Sequence, residues 1–254
     1  MTPAPPPTLW FATLAFNEEE NIGRLLDNLA GLAPTGYAPR VLLVNDGSTD
    51  RTRETALSRA DRLPVEVVDH PRNLGVGQGF RTAFDAALAR GREGDVIVTL
   101  EADNTSALEV LPAMLDQLRA GSDVALASCY APGGGIKGTT PLRMALSKTA
   151  NWIIRTVYRV SEVNTYSSFY RAYRYRALEA ATRTYGDRLI EEPGFVCMVE
   201  LLVKLHRMGL KITEVPMVLD GAQRKGASKM KIARTLKGYA RFALRDLFRR
   251  RKPR

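Results

Sequence analysis

Carboxylate side chains follow three of the apolar runs in the first half of the chain, and their types suit the binding of a cation and a polar ligand. Glu18 follows the first run, Asp46 the second, and Glu101 and Asp103 the fourth. Two carboxylates two residues apart at the end of a buried strand can hold a hard divalent cation through oxygen. A single group of this kind is also ordinary turn and helix-cap chemistry, so their shared position at strand ends carries the interpretation.

Other catalytic chemistries find little support in the sequence. It contains no Gly-x-Ser-x-Gly motif, and neither Cys129 nor Cys197 has a histidine next to it in the chain. The two cysteines are too few for a disulfide scaffold, and His70 and His206 are too few for a histidine-rich zinc site. The glycine-rich segment 73–79 lacks the dinucleotide-binding fingerprint, but its backbone can approach a ligand closely at the start of a helix.

The elements that must position these side chains alternate between strands and helices. Helical patterns follow the apolar runs, which predicts an α/β fold with a mostly parallel sheet covered by helices on both faces. In such a fold ligands bind beyond the carboxyl ends of the strands. The predicted strands are 9–16, 41–45, 65–69, 95–100, 123–128, 169–173 and 211–218. The predicted helices include 49–60 after the second strand and, later in the chain, 142–160 and 196–208.

Length and composition fit one folded domain with two distinct ends. The chain has 254 residues, of which 45% are hydrophobic and 25% charged, as in ordinary globular proteins. No uncharged apolar run approaches the roughly 18 residues that a membrane-spanning helix needs, and no signal peptide is recognised, so a cytoplasmic location is expected. We expect residues 1–8 to form a flexible lead-in, residues 9–228 to form the domain, and residues 229–254 to form a basic tail.

The positive charge is concentrated at the C-terminus. Residues 224–254 hold 8 Arg and 5 Lys against one acidic residue, a charge of +12, whereas the whole chain carries +10. The body is therefore nearly neutral, and a nucleic-acid partner is not expected. Residues 231–248 predict an amphipathic helix on an anionic membrane surface; the alternative is that its apolar face packs on the domain or on a small membrane subunit. The apolar face is Ile232, Leu236, Tyr239, Ala243 and Leu247, and Arg234, Lys237, Arg241 and Arg245 lie opposite, before the basic run 249–252.

Together these segments resemble family 2 glycosyltransferases of the GT-A fold, most closely the branch of dolichol- and polyprenyl-phosphate mannose synthases and glucosyltransferases. The resemblance covers residues 9–230, and the order and spacing of its short motifs make it specific. The motifs are Phe16-Asn17-Glu18, Asn45-Asp46-Gly47-Ser48, Asn73-Leu74-Gly75, Glu101-Ala102-Asp103, Glu200-Leu201-Leu202, Glu214-Val215-Pro216 and Gly226-Ala227-Ser228-Lys229.

The resemblance implies an inverting transfer of a sugar from a nucleotide-sugar donor to a polyprenyl phosphate, at a membrane surface and with Mg²⁺ or Mn²⁺. It implies that Glu101 and Asp103 are metal ligands and, with Arg224, catalytic residues. Glu18 and Asp46 are expected to face the base and ribose of the donor. The full set of expected donor-binding residues is Leu14, Phe16, Glu18, Val44, Asp46, Ala102, Arg143 and Lys229.

Departures from the family pattern keep two alternatives open. Glu101 stands where the family has Asp, Thr105 where a Gln often helps to hold the metal, and Cys129 where an Arg is expected. These changes are compatible with a non-catalytic relative. A hydroxyl of a soluble or natural-product acceptor is the other alternative; it would require a general base, for which Glu191 or Glu192 are the candidates, whereas a phosphate acceptor would not.

Overall fold

The computed structural model of the protein describes residues 5–32, 36–226 and 232–250. Strands and helices alternate along the chain as the sequence predicts. The strands are β1 (Thr8–Ala15), β2 (Ala38–Asn45), β3 (Val65–Asp69), β4 (Val96–Glu101), β5 (Val124–Ser128), β6 (Gly135–Lys137), β7 (Arg171–Arg174), β8 (Ile212–Pro216) and β9 (Val218–Asp220). The helices are α1 (Glu19–Gly31), α2 (Thr52–Leu57), α3 (Val76–Arg90), α4 (Leu111–Arg119), α5 (Pro141–Tyr158), α6 (Tyr175–Tyr185), α7 (Cys197–Arg207) and α8 (Ile232–Arg250).

A seven-stranded sheet in the order β3-β2-β1-β4-β7-β5-β8 forms the centre of the fold. Its strands pair in parallel except β7, which is antiparallel to both β4 and β5. Leu14 of β1 lies opposite both Val44 of β2 and Glu101 of β4. The polar segments that follow these three strands therefore leave the sheet at one edge, and the expected α/β class is confirmed.

Apolar residues fill both faces of the sheet. On one face α1 buries Ile22, Leu25, Leu26 and Leu29, the side chains that its sequence periodicity places on one side. On the other face α3, α6 and α7 enclose a second cluster, in which the ring of Phe84 packs edge-on against Tyr173. The two layers of helices hold the strands rigidly, and so hold the side chains that follow them.

Two of the predicted elements have different boundaries in the structure. The helix predicted at 49–60 begins only at Thr52, because the carboxylate of Asp50 accepts the Thr52 N–H at 3.0 Å in a tight turn. The predicted strand 211–218 is split into β8 and β9 on either side of Met217. β9 pairs with β6 in a separate two-stranded sheet, which the sequence does not predict.

The C-terminal helix α8 packs on the domain, which corrects the single apolar face predicted for it. Phe242 is buried and its ring stacks on Tyr158 of α5 at 5.3 Å, and Tyr239 also packs inward. Leu236 and Leu247, predicted on the same face as Tyr239, are exposed instead. The helix therefore has two apolar sides, one packed on the domain and one exposed.

The arginines of α8 also depart from the predicted pattern. Arg241 and Arg245, expected to lie opposite the apolar face at the membrane surface, form ion pairs with the buried carboxylates of Glu192 and Glu200. The physical reason is that buried carboxylates require paired cations. Within the described ranges no helix is both long enough and apolar enough to cross a bilayer. Residues 1–4 of the predicted lead-in, and residues 229–231 and 251–254 of the predicted tail, lie outside the described residues.

Candidate active site

Glu101 ends β4 at the carboxyl edge of the sheet, close to other acidic side chains. Burial, together with the nearby charges of Asp103 and Glu18 and against the opposing charge of Arg224, raises the pKa of its carboxyl to about 8. Near neutral pH this carboxyl therefore retains its proton when no added cation is present. Glu101, Asp103 and Glu18, predicted from two separate motifs, thus belong to one electrostatic cluster.

Asp103 is buried and held through both of its carboxylate oxygens. Its Oδ1 accepts the N–H of Thr105 at 3.0 Å and the Thr105 hydroxyl at 2.7 Å. Its Oδ2 accepts a hydrogen bond from Nε of Arg224 at 2.7 Å and a second one from Nη2 of the same side chain. The next residue, Asn104, has a φ of +62°, a left-handed conformation that Asn tolerates and that turns the chain here. Thr105, a departure from the family pattern, therefore positions Asp103.

Asn21 joins the segment that carries Arg224 to the first helix. Its side-chain oxygen accepts the N–H of Lys225 at 2.9 Å, and its Nδ2 donates to the Lys225 carbonyl at 3.0 Å and to Glu18 at 2.7 Å. Arg224, Lys225 and Gly226 line a cavity of about 240 Å³ together with Glu18 and Asn21. The sequence motifs give Asn21 no role, although its place three residues after Glu18 in a helical turn is a usable signal.

Asp46 lies at the end of β2, but its carboxylate is engaged within the protein. Its Oδ1 is 2.7 Å from Nδ1 of His70 and accepts the N–H of Leu74 at 2.9 Å, and its Oδ2 accepts the N–H of Gly75 at 3.0 Å. Nε2 of His70 lies 2.9 Å from the hydroxyl of Thr82. Asp46 therefore fixes the start of α3, and its contact with the donor stays a prediction.

Three further predicted donor-binding residues are apolar and lie at the ends of β1, β2 and β4. The side chain of Val44 is fully buried in the core, and that of Ala102 is almost so. Leu14 packs so closely against α3 that a Cβ on Gly79 would lie 2.3 Å from it. The structure therefore places these three side chains in the packing of the sheet, from where they support the polar residues beside them.

The remaining predicted donor-binding residues occupy other positions. Phe16 follows β1 and is partly exposed at the carboxyl edge. Arg143 lies in the first turn of α5, where its N–H donates to the hydroxyl of Thr140 at 3.3 Å, and its side chain is partly exposed. Lys229 lies outside the described residues. The roles of Phe16 and Arg143 toward the donor stay predictions.

Cys129 and the two candidate bases have structural surroundings that limit their chemistry. Burial raises the pKa of the Cys129 thiol, so this residue is neutral near pH 7 and cannot supply the charge of the expected arginine. The carboxylate of Glu192 is fully buried and contacts Arg241 at 2.6 Å and Arg245 at 3.0 Å. Glu191 lies 3.4 Å from Nζ of Lys204 and 3.8 Å from Arg245.

The carboxylate pair suits a divalent cation that is completed by a substrate. Among the described residues no group of three or more His, Cys, Asp or Glu side chains could hold a metal ion. Mg²⁺, however, is usually held by one or two carboxylates together with substrate phosphates and water. Glu101 and Asp103 fit this requirement because burial and the neighbouring charges of Asp103 and Glu18 raise the pKa of Glu101, and a cation would stabilise the charged form of the carboxyl.

Comparison with known proteins agrees with this geometry. The sequence profile of glycosyl transferase family 2 matches residues 11–182, the part that contains the carboxylate cluster. Polyprenol monophosphomannose synthase of Mycolicibacterium smegmatis is 32% identical over 85% of this chain and 78% of its own length. Dolichol-phosphate mannosyltransferase of Pyrococcus furiosus is 28% identical over 91% of this chain and 61% of its own length. Both names belong to the branch that the sequence motifs resemble.

A solved structure supports the fold independently. Glucosyl-3-phosphoglycerate synthase from Mycobacterium tuberculosis, in its complex with Mn²⁺, UDP-glucose and phosphoglyceric acid, superimposes with a TM-score of 0.66 at 18% identity, covering 98% of this chain and 81% of that one. This likeness confirms the expected GT-A architecture. With the profile match over most of the chain and a relative above 30% identity, the protein belongs to glycosyl transferase family 2 and is a glycosyltransferase.

Proposed function

We propose that the protein transfers a sugar from a nucleotide-sugar to the phosphate of a polyprenyl phosphate, with inversion at the anomeric carbon and with Mg²⁺ or Mn²⁺. The relatives named as polyprenol- and dolichol-phosphate mannosyltransferases support this acceptor class. Glu101 and Asp103 support the dependence on a cation because they are adjacent acidic ligands at the carboxyl edge. The sugar and the nucleotide are left open by this proposal.

Four of the described residues have distinct proposed roles in binding the donor and stabilising the leaving diphosphate. Glu101 and Asp103 would hold the cation, and when bound it neutralises the charge that develops on the leaving diphosphate. Thr105 keeps the Asp103 carboxylate oriented through two hydrogen bonds. Arg224, which hydrogen-bonds Asp103, stands where its guanidinium can turn to a donor phosphate.

The surroundings of Glu192 favour a phosphate acceptor over a hydroxyl acceptor. This carboxylate is held by two arginines in a buried network, so it is poorly suited to remove a proton from a hydroxyl. A phosphate oxygen is already ionised at pH 7 and needs no base. It attacks the anomeric carbon as the bond from that carbon to the donor phosphate breaks, and the nucleoside diphosphate leaves. A single displacement of this kind inverts the configuration.

Exposed apolar side chains on two neighbouring helices support action at a membrane surface. On α8, Leu244 and Phe248 are 56% and 64% exposed, and on α5 Trp152 is 67% exposed. The two helices contact each other through the stacked rings of Tyr158 and Phe242. A polyprenyl chain stays in the bilayer, so these residues and the basic tail at 229–254 would bring the site to the phosphate from the cytoplasmic surface. A small membrane subunit covering the same residues is the alternative partner.

The pH–rate profile and the configuration of the product test the phosphate acceptor against the hydroxyl alternative. With polyprenyl phosphate we expect the transfer rate between about pH 6 and 8 to depend on the ionisation of the metal-site carboxyls and of no general base. We also expect a product of inverted configuration. Turnover on a soluble alcohol that is lost on Glu192→Gln, with none on the lipid phosphate, would overturn the proposal. Donor hydrolysis or transfer above background excludes a non-catalytic relative.

A further inference from the structure

The C-terminal helix neutralises two fully buried carboxylates of the domain. Nη2 of Arg241 lies 2.6 Å from Glu192. Arg245 lies 3.0 Å from Glu192 through Nη1 and 2.7 Å from Glu200 through Nη2. Neither carboxylate side chain has any exposed surface. Because buried carboxylates are stable only when paired, the segment that carries Glu192 keeps its position through the arginines of α8.

Glu200 holds the backbone of residues 191–192 through hydrogen bonds. Its Oε2 accepts the N–H groups of Glu191 and Glu192, each at 2.8 Å. Its Oε1 is shared by Arg245 and by Nζ of Lys204, which lies 2.8 Å away. Side chain and backbone of residues 191–192 therefore depend on one charge network, in which α8 supplies two of the cations.

Residues 192–193 in turn press on the first turn of α3. The carbonyl of Pro193 accepts the N–H of Gly77 at 3.0 Å. A Cβ on Gly77 would lie only 2.0 Å from the carbonyl oxygen of Glu192, so no other residue type allows this approach. A displacement of the Glu192 backbone is therefore transmitted directly to the start of α3.

The start of α3 is tied to the donor edge of the sheet. The N–H groups of Leu74 and Gly75 donate to the carboxylate of Asp46 at 2.9 and 3.0 Å. Asp46 follows β2, and Asp46 N–H donates to the carbonyl of Ala15 at the end of β1 at 2.8 Å. A continuous chain of direct contacts thus leads from α8 to the edge at which the nucleotide is expected to bind.

We propose that Arg241 and Arg245 are positioning residues of the donor site. They hold residues 191–193 against Gly77, and that contact sets the position of the segment 74–77 around Asp46. In this arrangement α8 does more than attach the protein to lipid, because its docking on the domain determines how well the donor edge is formed. The kinetic part of this inference rests on the proposed function, whereas the structural part does not.

Amide hydrogen exchange and nucleotide binding on the full chain test this coupling. The variant is Arg241→Gln/Arg245→Gln, and the control is Arg62→Gln/Arg183→Gln, which removes the same charge from two arginines paired with exposed or half-exposed carboxylates. We expect exchange at residues 74–79 and 191–193 to become about 10-fold faster in the variant alone. Binding of UDP or GDP, titrated with Mn²⁺ present, should weaken about 10-fold, while the KM for polyprenyl phosphate changes less than about 3-fold.

Protected amides at residues 74–79 and unchanged nucleotide affinity in a folded variant would overturn the proposal. If that variant does not fold, Glu192→Gln/Arg241→Gln is used, because it removes the ion pair and leaves no unpaired charge; the same accelerated exchange is expected and the same protection would refute it. If the wild type transfers no sugar to any lipid phosphate, the proposed function fails, and the exchange data still decide this inference.

Discussion

The guanidinium of Arg224 donates from Nε to Oδ2 of Asp103 at 2.7 Å, across 121 positions of the sequence. One cation is thus already bound to the carboxylate that the family resemblance assigns to a metal ion. On the proposed assignment, a divalent ion that coordinated this oxygen would displace the arginine. The displaced guanidinium would then be available to a phosphate group of the donor, which would give Arg224 two alternating anionic partners.

Replacing Arg224 by Ala should strengthen the binding of Mn²⁺ in the absence of nucleotide. Removing the competing cation is expected to lower the dissociation constant about 10-fold, measured by electron paramagnetic resonance titration of free Mn²⁺. The same change should weaken the binding of UDP or GDP. Arg24→Ala is the matched control because Arg24 hydrogen-bonds the neighbouring Gln223. Weaker or unchanged Mn²⁺ binding in Arg224→Ala alone would show that the arginine does not compete with the ion.

Replacing Thr105 by Val should slow transfer while preserving the shape of the side chain. The lost hydroxyl hydrogen-bonds the charged Asp103 at 2.7 Å, and a bond of that kind contributes about 1.5–3 kcal/mol, so kcat/KM should fall about 10- to 100-fold. Thr105→Ser keeps the hydroxyl and should retain most of the activity. Equal rates for the Val and Ser variants would mean that the hydroxyl does not orient the carboxylate.

Much of the fold could be predicted from the sequence because local pattern determines it. The apolar runs before Asn17, Asp46 and Asp103 define three neighbouring parallel strands, and their common direction brings the polar segments to one edge. The insertion of β7 between β4 and β5 could not be predicted, because a four-residue strand carries no signal of its direction or its neighbours.

The parts of the site that sequence reasoning missed depend on contacts between distant residues. Arg224 pairs with Asp103, and Asn21 hydrogen-bonds the backbone of Lys225. Both contacts join residues that lie far apart in the sequence, and no spacing rule predicts them. Periodicity identified α8 as amphipathic, but it could not show which side docks. That choice was made by Tyr239, by Phe242 and by the two buried carboxylates that required arginines.

The stability of the metal-free protein should fall as the pH rises toward 8. The pKa of Glu101 is raised from 4.5 to about 8, so between these values the folded state binds more protons than the unfolded chain. The contribution is complete below pH 4.5 and is lost as the pH passes through about 8, with a slope of at most about 1.4 kcal/mol per pH unit. Urea unfolding with a chelator present, at several pH values, measures the slope.

Glu101→Gln is the comparison for that slope, since its amide does not titrate. The difference in unfolding free energy between wild type and variant should change with pH in the stated window and be constant above it. Saturating Mn²⁺ should reverse the trend for the wild type, because ligand carboxylates bind metal in the deprotonated form. An identical pH dependence for both proteins without metal would contradict the assignment of the raised pKa to Glu101.

Replacing Leu244 and Phe248 by Ser should reduce binding to anionic vesicles without disturbing the docked side of α8. Both side chains are exposed. Burying each of them in lipid contributes roughly 1.5–3 kcal/mol to membrane binding, so the partition coefficient of the variant should fall at least about 10-fold. Leu57→Ser, on α2, is the control for the loss of an exposed leucine. Equal sedimentation of both variants with the vesicles would place the membrane contact elsewhere.

The most direct test of the proposed transfer offers a panel of nucleotide-sugars with two matched acceptors, a polyprenyl phosphate and the corresponding free polyprenol, and detects products by mass. The account predicts a glycosyl phosphate product from the phosphate alone, lost on chelation and reduced at least about 1000-fold in Asp103→Asn, while Asp116→Asn on the exposed side of α4 remains active. Product from the free polyprenol but not from the phosphate, or undiminished transfer by Asp103→Asn, would contradict it.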